Sequence, residues 1–480
     1  MAEHNIKKID DYKYIIEKSG DMRVPAIFYS NPGYLEQIIR EGSYMQLVNV
    51  ASLPGIIGAA LAMPDMHQGY GFPIGGVAAM DIENGVISPG GVGYDINCGC
   101  RLVRTNLTYD EIKGRVRDII NALYSTIPTG VGSKGDLRLS RKDAKAVSET
   151  GAKWLIKKGY GEASDLEHTE DEGEIEGADP DLVSERAYER GKDQLGSLGS
   201  GNHFIELGVV DEIYDEKAAA AYGLRQGFVT LFIHTGSRGF GHQVCDDSLE
   251  MMTRYIKKSG IYLPDRQLAC AHFSSDEGQK YFKAMKCAAN YAFANRQLIM
   301  FRSMETISRA LKMSYEKMGV DLVYDVCHNI AKVEEHEVDG IVKKVCVHRK
   351  GATRSFPAGH MDVPKAYRDV GQPVLIPGDM GRYSYVLSGG ENAMKESFGS
   401  TCHGAGRVLS RHKAIKMAKG RSISRELEDK NIYVIAKKHN TLKEEMSDAY
   451  KDVSKVVDVV SKAGISKKVA KMRPLGVIKG

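Results

Sequence analysis

Between Met63 and Asp110 the apolar positions come in short runs, VAAMDI, GVISPGG and RLVRTNL, separated by glycine-rich turns. That pattern predicts a sheet. Upstream, residues 1–45 mix polar and apolar groups, and MRVPAIFYSN predicts a short strand closed by the turn residues SNPG. The period then changes. In DEIKGRVRDIINALYSTI the residues Ile112, Val116, Ile119, Ile120 and Leu123 recur at helical spacing, which places them on one face of an amphipathic helix. FVTLFIHTG predicts a strand ending at His234, and LVYDVCHNIAKV a strand that carries His328 near its end. Between them, EGQKYFKAMKCAANYAFANRQLIMFRSMETISRALKM is the longest helical pattern, one helix or two in series. Tyr281, Met285, Ala288, Ala292 and Phe293 form its core stripe. Near the C-terminus, Thr441 followed by Glu444 has the spacing of a capping box and predicts the helix TLKEEMSDAYKDVSKVVDVVSKAG. Residues 466–480 predict a basic tail. Residues 162–190 are strongly acidic and predict a solvated loop or mobile flap. No internal repeat is visible.

Size and charge narrow the picture. A chain of 480 residues holds two or three average domains, or one large domain wrapped around a central site. The 66 basic residues against 62 acidic ones leave a net charge of +4, too balanced to announce a nucleic-acid binder, so any polyanion site must be a local patch. No stretch has the length and apolarity of a signal peptide or a membrane span, which predicts a cytosolic protein. The eight cysteines show no CxxC spacing, the usage of a reduced compartment.

Chemistry-bearing side chains recur inside glycine-rich or small-residue sequence: Asp95 and Cys98 in GGVGYDINCGC, His203 in SGNHFIEL, His234 in IHTGSRGFGH, His328 in VCHNIAK and His403 in CHGAGR. One such histidine alone is usually a hydrogen-bonded structural residue. Five segments offering a carboxylate, a thiolate and imidazoles together suggest a polynuclear metal site, with Cys98 able to bridge two ions. Thiolate and imidazole donors by themselves favour zinc over manganese. His67, in PDMHQGYGFPIGG, either assists chemistry or shapes a turn, while His168, His336 and His439 sit in charged stretches and read as surface groups.

Two nucleotide-binding routes close. GxxxxGK[ST] is absent, and the nearest approach to a KxDG nucleotidyltransferase is EVDG, with Glu337 in place of the lysine. What remains is GSLGSGNH, PGDMGRYSY and CHGAGR. In the last of these, Gly404, Ala405 and Gly406 leave space for phosphorus to reach the His403 imidazole, and Arg407 offers a charge to its oxygens. A turn with a capping histidine is the structural alternative. Arg238, Arg349, Lys350, Arg354, Arg407, Arg411 and Lys413 lie close to these segments and are candidates for neutralising a bound strand's phosphates.

At these residues the chain resembles the RtcB family of RNA-splicing ligases. PDMHQGYGFPIGG, GGVGYDINCGCR, GSLGSGNHFIE, HTGSRGFGH, CHNIAK, HRKGATR, PGDMG and CHGAGR follow that family's blocks in order, from about residue 60 to the terminal KG. The resemblance implies an α+β fold, one catalytic domain over 1–480 with the acidic flap at about 162–190 and the tail 466–480 returning to the site. It implies a GTP- and manganese-dependent ligase that joins 2′,3′-cyclic phosphate or 3′-phosphate RNA ends to 5′-hydroxyl ends. By the same resemblance Asp95, Cys98, His203, His234 and His328 hold two Mn²⁺ ions and His403 carries GMP covalently. The nucleotide is surrounded by Asn202, His203, Phe204, Ile205, Glu206, His328, Asn329, Pro377, Gly378, Asp379, Met380, Ser384, His403, Gly404, Ala405, Gly406, Tyr450 and Lys479. Glu206 is the acceptor for guanine, and Tyr450 stacks on the base. Partners implied are broken RNA, such as tRNA exon halves, and an archease-type activator. Two readings compete with this one: a metal-dependent phosphohydrolase that opens cyclic phosphates without joining ends, and an RNA-binding protein with a structural metal.

Overall fold

The structure, a computed structural model, describes residues 5–480. Two large sheets carry the α+β fold. The first runs in the order Ile6–Lys8, Lys13–Ile16, Ala26–Tyr29, Ile56–His67, Ile74–Asp81, Ile341–Lys350, Asn329–Val338. The second runs Asp321–Cys327, Gly99–Thr108, Phe228–Thr235, Phe204–Ile213, Ser466–Lys479, Ser384–Gly389, Pro373–Ile376, with Tyr433–Ala436 also pairing with Ser466–Lys479. His328 is the link between them: the chain leaves the second sheet at Cys327 and enters the first at Asn329.

Register explains how distant residues meet. Strands Asp321–Cys327, Gly99–Thr108, Phe228–Thr235, Phe204–Ile213 and Ser466–Lys479 are antiparallel in turn, pairing Cys327 with Gly99, Gly99 with Thr235, His234 with Phe204, and Phe204 with Lys479. Alternation of direction therefore gathers two strand starts and three strand ends at one sheet edge. Cys98 and His203 directly precede their strands, and His234, His328 and Lys479 stand at or just beyond the ends of theirs.

A 36-residue helix, Asp276–Leu311, supports this edge from below. The predicted stripe of Tyr281, Met285, Ala288, Ala292 and Phe293 is fully buried, and burial continues around the helix because other helices and the strand Phe228–Thr235 pack on its remaining faces. Its polar residues serve the site loops. Arg296 pairs with buried Asp325 at 2.8 Å and donates to the carbonyls of Asn97 (2.8 Å) and Thr235 (3.0 Å), while Asn295 donates to the Gly236 carbonyl at 3.1 Å. The predicted helix at 110–127 forms as Tyr109–Ile112 and Val116–Thr126 with a tighter turn between them.

Several expectations are corrected. SNPG does not close a turn: Asn31 caps the helix Pro32–Glu41, accepting from the Tyr34 N–H at 3.1 Å. The acidic segment 162–190 is neither a solvated loop nor a free flap. It folds into short helices, and Glu170 is buried against Lys332 at 2.7 Å. The helix predicted from Thr441 is broken. Thr441 lies inside His439–Glu444, and the main helix starts at Val453 behind an Asp452 cap. Tertiary bonds override the local period here, since Lys451 is drawn inward to the carbonyls of Pro64 and Met66 (2.9 and 2.8 Å). The basic tail is an interior strand, Ser466–Lys479, whose Val469, Met472, Leu475, Val477 and Ile478 are buried while Lys471 reaches Glu212 at 2.6 Å. His336 is buried, bonded to Glu334 at 3.0 Å and set edge-on to Phe398. Among the described residues no helix is long and apolar enough to cross a membrane.

Candidate active site and metal centre

The donors predicted from five segments form one cluster. Cys98 Sγ lies 3.4 Å from His203 Nε2 and 3.3 Å from His234 Nε2, His234 Nε2 lies 3.3 Å from His328 Nε2, and Asp95 Oδ2 lies 2.8 Å from His203 Nε2. Two sets emerge, Cys98 with His234 and His328, and Asp95 with Cys98 and His203. Cys98 belongs to both.

The spacing suits metal ligation. Donors about 2.0–2.3 Å from a common tetrahedral ion stand roughly 3.3–3.7 Å apart, which the sulfur–nitrogen and nitrogen–nitrogen separations match. Charge states agree. Burial holds the His234 and His328 imidazoles well below their ordinary pKa, so both are neutral lone-pair donors. Burial, then Asp95, pushes the Cys98 thiol up, so its thiolate requires a cation beside it. The loop that presents Asp95 and Cys98 turns through Asn97, held at φ 52° by its side-chain bond to the Ala289 carbonyl (2.7 Å) and by Arg296 (2.9 Å).

Beside the cluster lies His403, its ring centroid 4.8 Å from that of His328. It follows the short strand Ser400–Cys402, which pairs with Ala352–Arg354. Asp65, fully buried in the strand Ile56–His67, receives His403 Nδ1 at 2.5 Å and the backbone N–H groups of His403 (3.0 Å) and Gly404 (3.2 Å). A carboxylate only accepts, so the hydrogen of this bond sits on Nδ1, and Nε2 is the nitrogen left to face away from Asp65. Two glycines make the approach possible. A Cβ on Gly351, at φ +61°, would lie 3.0 Å from His403 Cε1, and one on Gly406, at φ +72°, would lie 2.1 Å from the Asp65 carbonyl oxygen.

These groups face a cleft of about 230 Å³. Of the predicted residues, Asp95, Cys98, Asn202, Phe204, His234, His328, Asn329, Pro377, Gly378, Asp379, His403, Gly404, Ala405, Gly406, Tyr450 and Lys479 line it. His203, Ile205 and Met380 do not: His203 stays in the donor cluster against Cys98 and Asp95, strand alternation turns Ile205 into one apolar cluster, and Met380 packs into another. Glu206 and Ser384 lie buried beside the lining, 3.5 Å apart, and burial pushes the Glu206 carboxyl up to about 8.

Ile74, Gly351 and Glu445, which line the cleft, and Asp65, which stands behind His403, are site residues that sequence reasoning missed. Asp65 carried one signal, a lone carboxylate in the apolar run LAMPDMH. Glu445 collects Arg407 at 3.0 Å, Lys479 at 3.6 Å and the Tyr450 hydroxyl. Arg407 lines the cleft with this carboxylate as its partner. Three arginine and lysine candidates for phosphate binding are corrected: Arg349 is buried in a bidentate pair with Glu334 (2.6 and 2.8 Å), Arg354 faces Glu170 at 3.3 Å, and Lys350 donates to the Gly90 carbonyl at 3.0 Å and to Tyr70. Arg411 does line the cleft.

A thiolate shared by two donor sets, next to an imidazole whose far nitrogen is held by a buried carboxylate, defines a metal-capable group-transfer centre. The family described as tRNA-splicing ligase RtcB matches residues 46–480. Similar proteins carrying that description include one from Archaeoglobus fulgidus, 55% identical over 99% of both chains, and one from Thermococcus kodakarensis, 54% identical over 99% of both. A third, from Pyrococcus abyssi, is 56% identical over 80% of this chain and 42% of its own. The chain belongs to the RtcB family of tRNA-splicing ligases.

Proposed function

We propose that this protein is a cytoplasmic RNA ligase that uses GTP and two Mn²⁺ ions to join 2′,3′-cyclic phosphate or 3′-phosphate ends to 5′-hydroxyl ends, with His403 as the GMP carrier. The observation that carries the reading is the Asp65–His403 pair set against a double donor set. Asp95, Cys98, His203, His234 and His328 would hold the ions, whose charge offsets that developing on phosphate oxygens.

His403 Nε2 attacks the α-phosphorus of GTP; the nitrogen–phosphorus bond forms as the bond to pyrophosphate breaks. Asp65 keeps the ring oriented and stabilises the positive charge it gains. Lys479 and Arg411 line the route along which phosphates arrive. A cyclic phosphate end is first hydrolysed to a 3′-phosphate. The RNA 3′-phosphate oxygen then takes GMP from His403, the 5′-hydroxyl attacks the activated end, and GMP leaves. Broken tRNA exon halves are the substrates this reading favours, with an archease-type activator as partner.

Asp65→Asn tests the orienting role. It removes the charge that stabilises the imidazolium and permits the wrong tautomer, so self-guanylylation should slow by about 10²–10⁴-fold while the fold persists. Stopped-time labelling with α-labelled GTP, alongside circular dichroism, reads both.

Glu206 yields a pH prediction. Its folded pKa of about 8 lies above the unfolded value, so the group costs stability as pH rises from about 4 towards 8. If its carboxylate accepts the guanine N–H groups, binding expels that proton. GTP affinity should then rise between pH 6 and 8 by up to about tenfold per unit, and Glu206→Gln should flatten the profile. Calorimetry in buffers of different ionisation enthalpy would count the proton released.

A further inference from the structure

We propose that Glu170 is a positioning residue that fixes metal donor His328. The acidic segment does not contact the cleft, yet it grips the strand that ends there. The Cys327 N–H, one residue before His328, donates to Glu170 Oε2 at 2.8 Å, and the Asp325 N–H donates to the His168 carbonyl at 3.0 Å. Glu170 is 1% exposed, and its other oxygen is held by Lys332 at 2.7 Å and Arg354 at 3.3 Å. The backbone is strained to make this grip: Asp171 and Glu172 stand consecutively at φ 52° and 51°, a region non-glycine residues avoid. Asp171 meets Lys332 at 2.5 Å from that conformation. Two left-handed residues in sequence persist only where surrounding contacts over-determine them.

The other side of His328 is fixed as well, its own N–H donating to the Cys98 carbonyl at 2.9 Å. The imidazole thus hangs from a backbone pinned on both flanks, by the loop carrying Cys98 and by Glu170. Groups that support a metal ligand from behind typically control affinity by about 10–100-fold. The other set, Asp95 and His203, has no bond to the acidic segment.

The inference rests on the metal reading above, and Co²⁺ titration followed by visible absorption separates the two. His203→Ala and His328→Ala assign which binding step belongs to which set. Glu170→Asp keeps the charge beside Lys332 and Arg354 but withdraws the acceptor from the Cys327 N–H; it should weaken the step lost in His328→Ala by about 10–100-fold and leave the other unchanged. Glu170→Gln, whose amide oxygen still accepts, should restore most of that loss. Lys332→Met removes the partner of Glu170 Oε1 but leaves Oε2, the acceptor of the Cys327 N–H, in place with Arg354 still beside the carboxylate, and should bind both ions as the native protein does. The proposal is overturned if Glu170→Asp leaves both steps unchanged, weakens both alike, or is matched by Lys332→Met. A native protein that takes up no pair of Co²⁺ ions rejects the metal reading itself.

Discussion

His403→Ala is expected to take up no label from GTP carrying the isotope at its α-phosphate, and to ligate RNA about 10⁴-fold or more slowly than the native chain. The size of the effect follows from the role. Among the described residues no other histidine has its Nδ1 held by a buried carboxylate at the cleft: His234 and His328 are committed to the donor cluster, and His67, which also lines the cleft, turns its Nδ1 to the Gln68 carbonyl at 3.0 Å. His403 is partly exposed, is followed by three small residues and lies just beyond a strand end, so alanine there removes the reacting atom and little packing. The variant should melt near the native temperature, and adduct chemistry should match a phosphoramidate: stable to base, lost in acid. An adduct that persists in His403→Ala would move the carrier elsewhere.

Cys98→Ala should have the second largest effect and should act on both ions at once. Cys98 Sγ stands within 3.4 Å of His203 and His234, and it is the donor that the two sets have in common. Its removal should cost each site more than the roughly 100-fold that loss of a supporting partner costs, so that both metal stoichiometry and guanylylation fall together. The protein should stay folded, because Arg296, Asn97 and Asp325 hold the surrounding loops without help from a metal. A structural metal predicts the reverse, an unfolded chain. Thermal melting with and without chelator distinguishes them.

How much of this was legible in the chain depends on where each residue finds its partner. Cys98, His203, His234, His328 and His403 stand out because small residues surround them, and small residues mark places where backbone or ligand must come close. The strand Phe228–Thr235 was legible from its apolar run; LVYDVCHNIAKV read as one strand, but the chain breaks at His328 and passes from Asp321–Cys327 into Asn329–Val338 of the other sheet. The groups that organise the donors were not. Asp65 sits 338 residues from His403, and Glu170 157 residues from Cys327; a buried carboxylate whose partner is that remote leaves no period or spacing to detect. The same blindness made Arg349 and Arg354 look like phosphate binders, since a sequence shows the charge but not the glutamate that neutralises it. Ser466–Lys479 read as a basic tail because its lysines alternate with the apolar residues that make it a central strand.

Ligation of two defined RNA strands, one ending in a 2′,3′-cyclic phosphate and the other beginning with a 5′-hydroxyl, tests the central claim most directly when GTP and Mn²⁺ are each omitted in turn. The account predicts joined product only with both present, and GMP released in equal amount. Cyclic-phosphate opening that proceeds without GTP, with no joined strand under any condition, would contradict it and leave a phosphohydrolase.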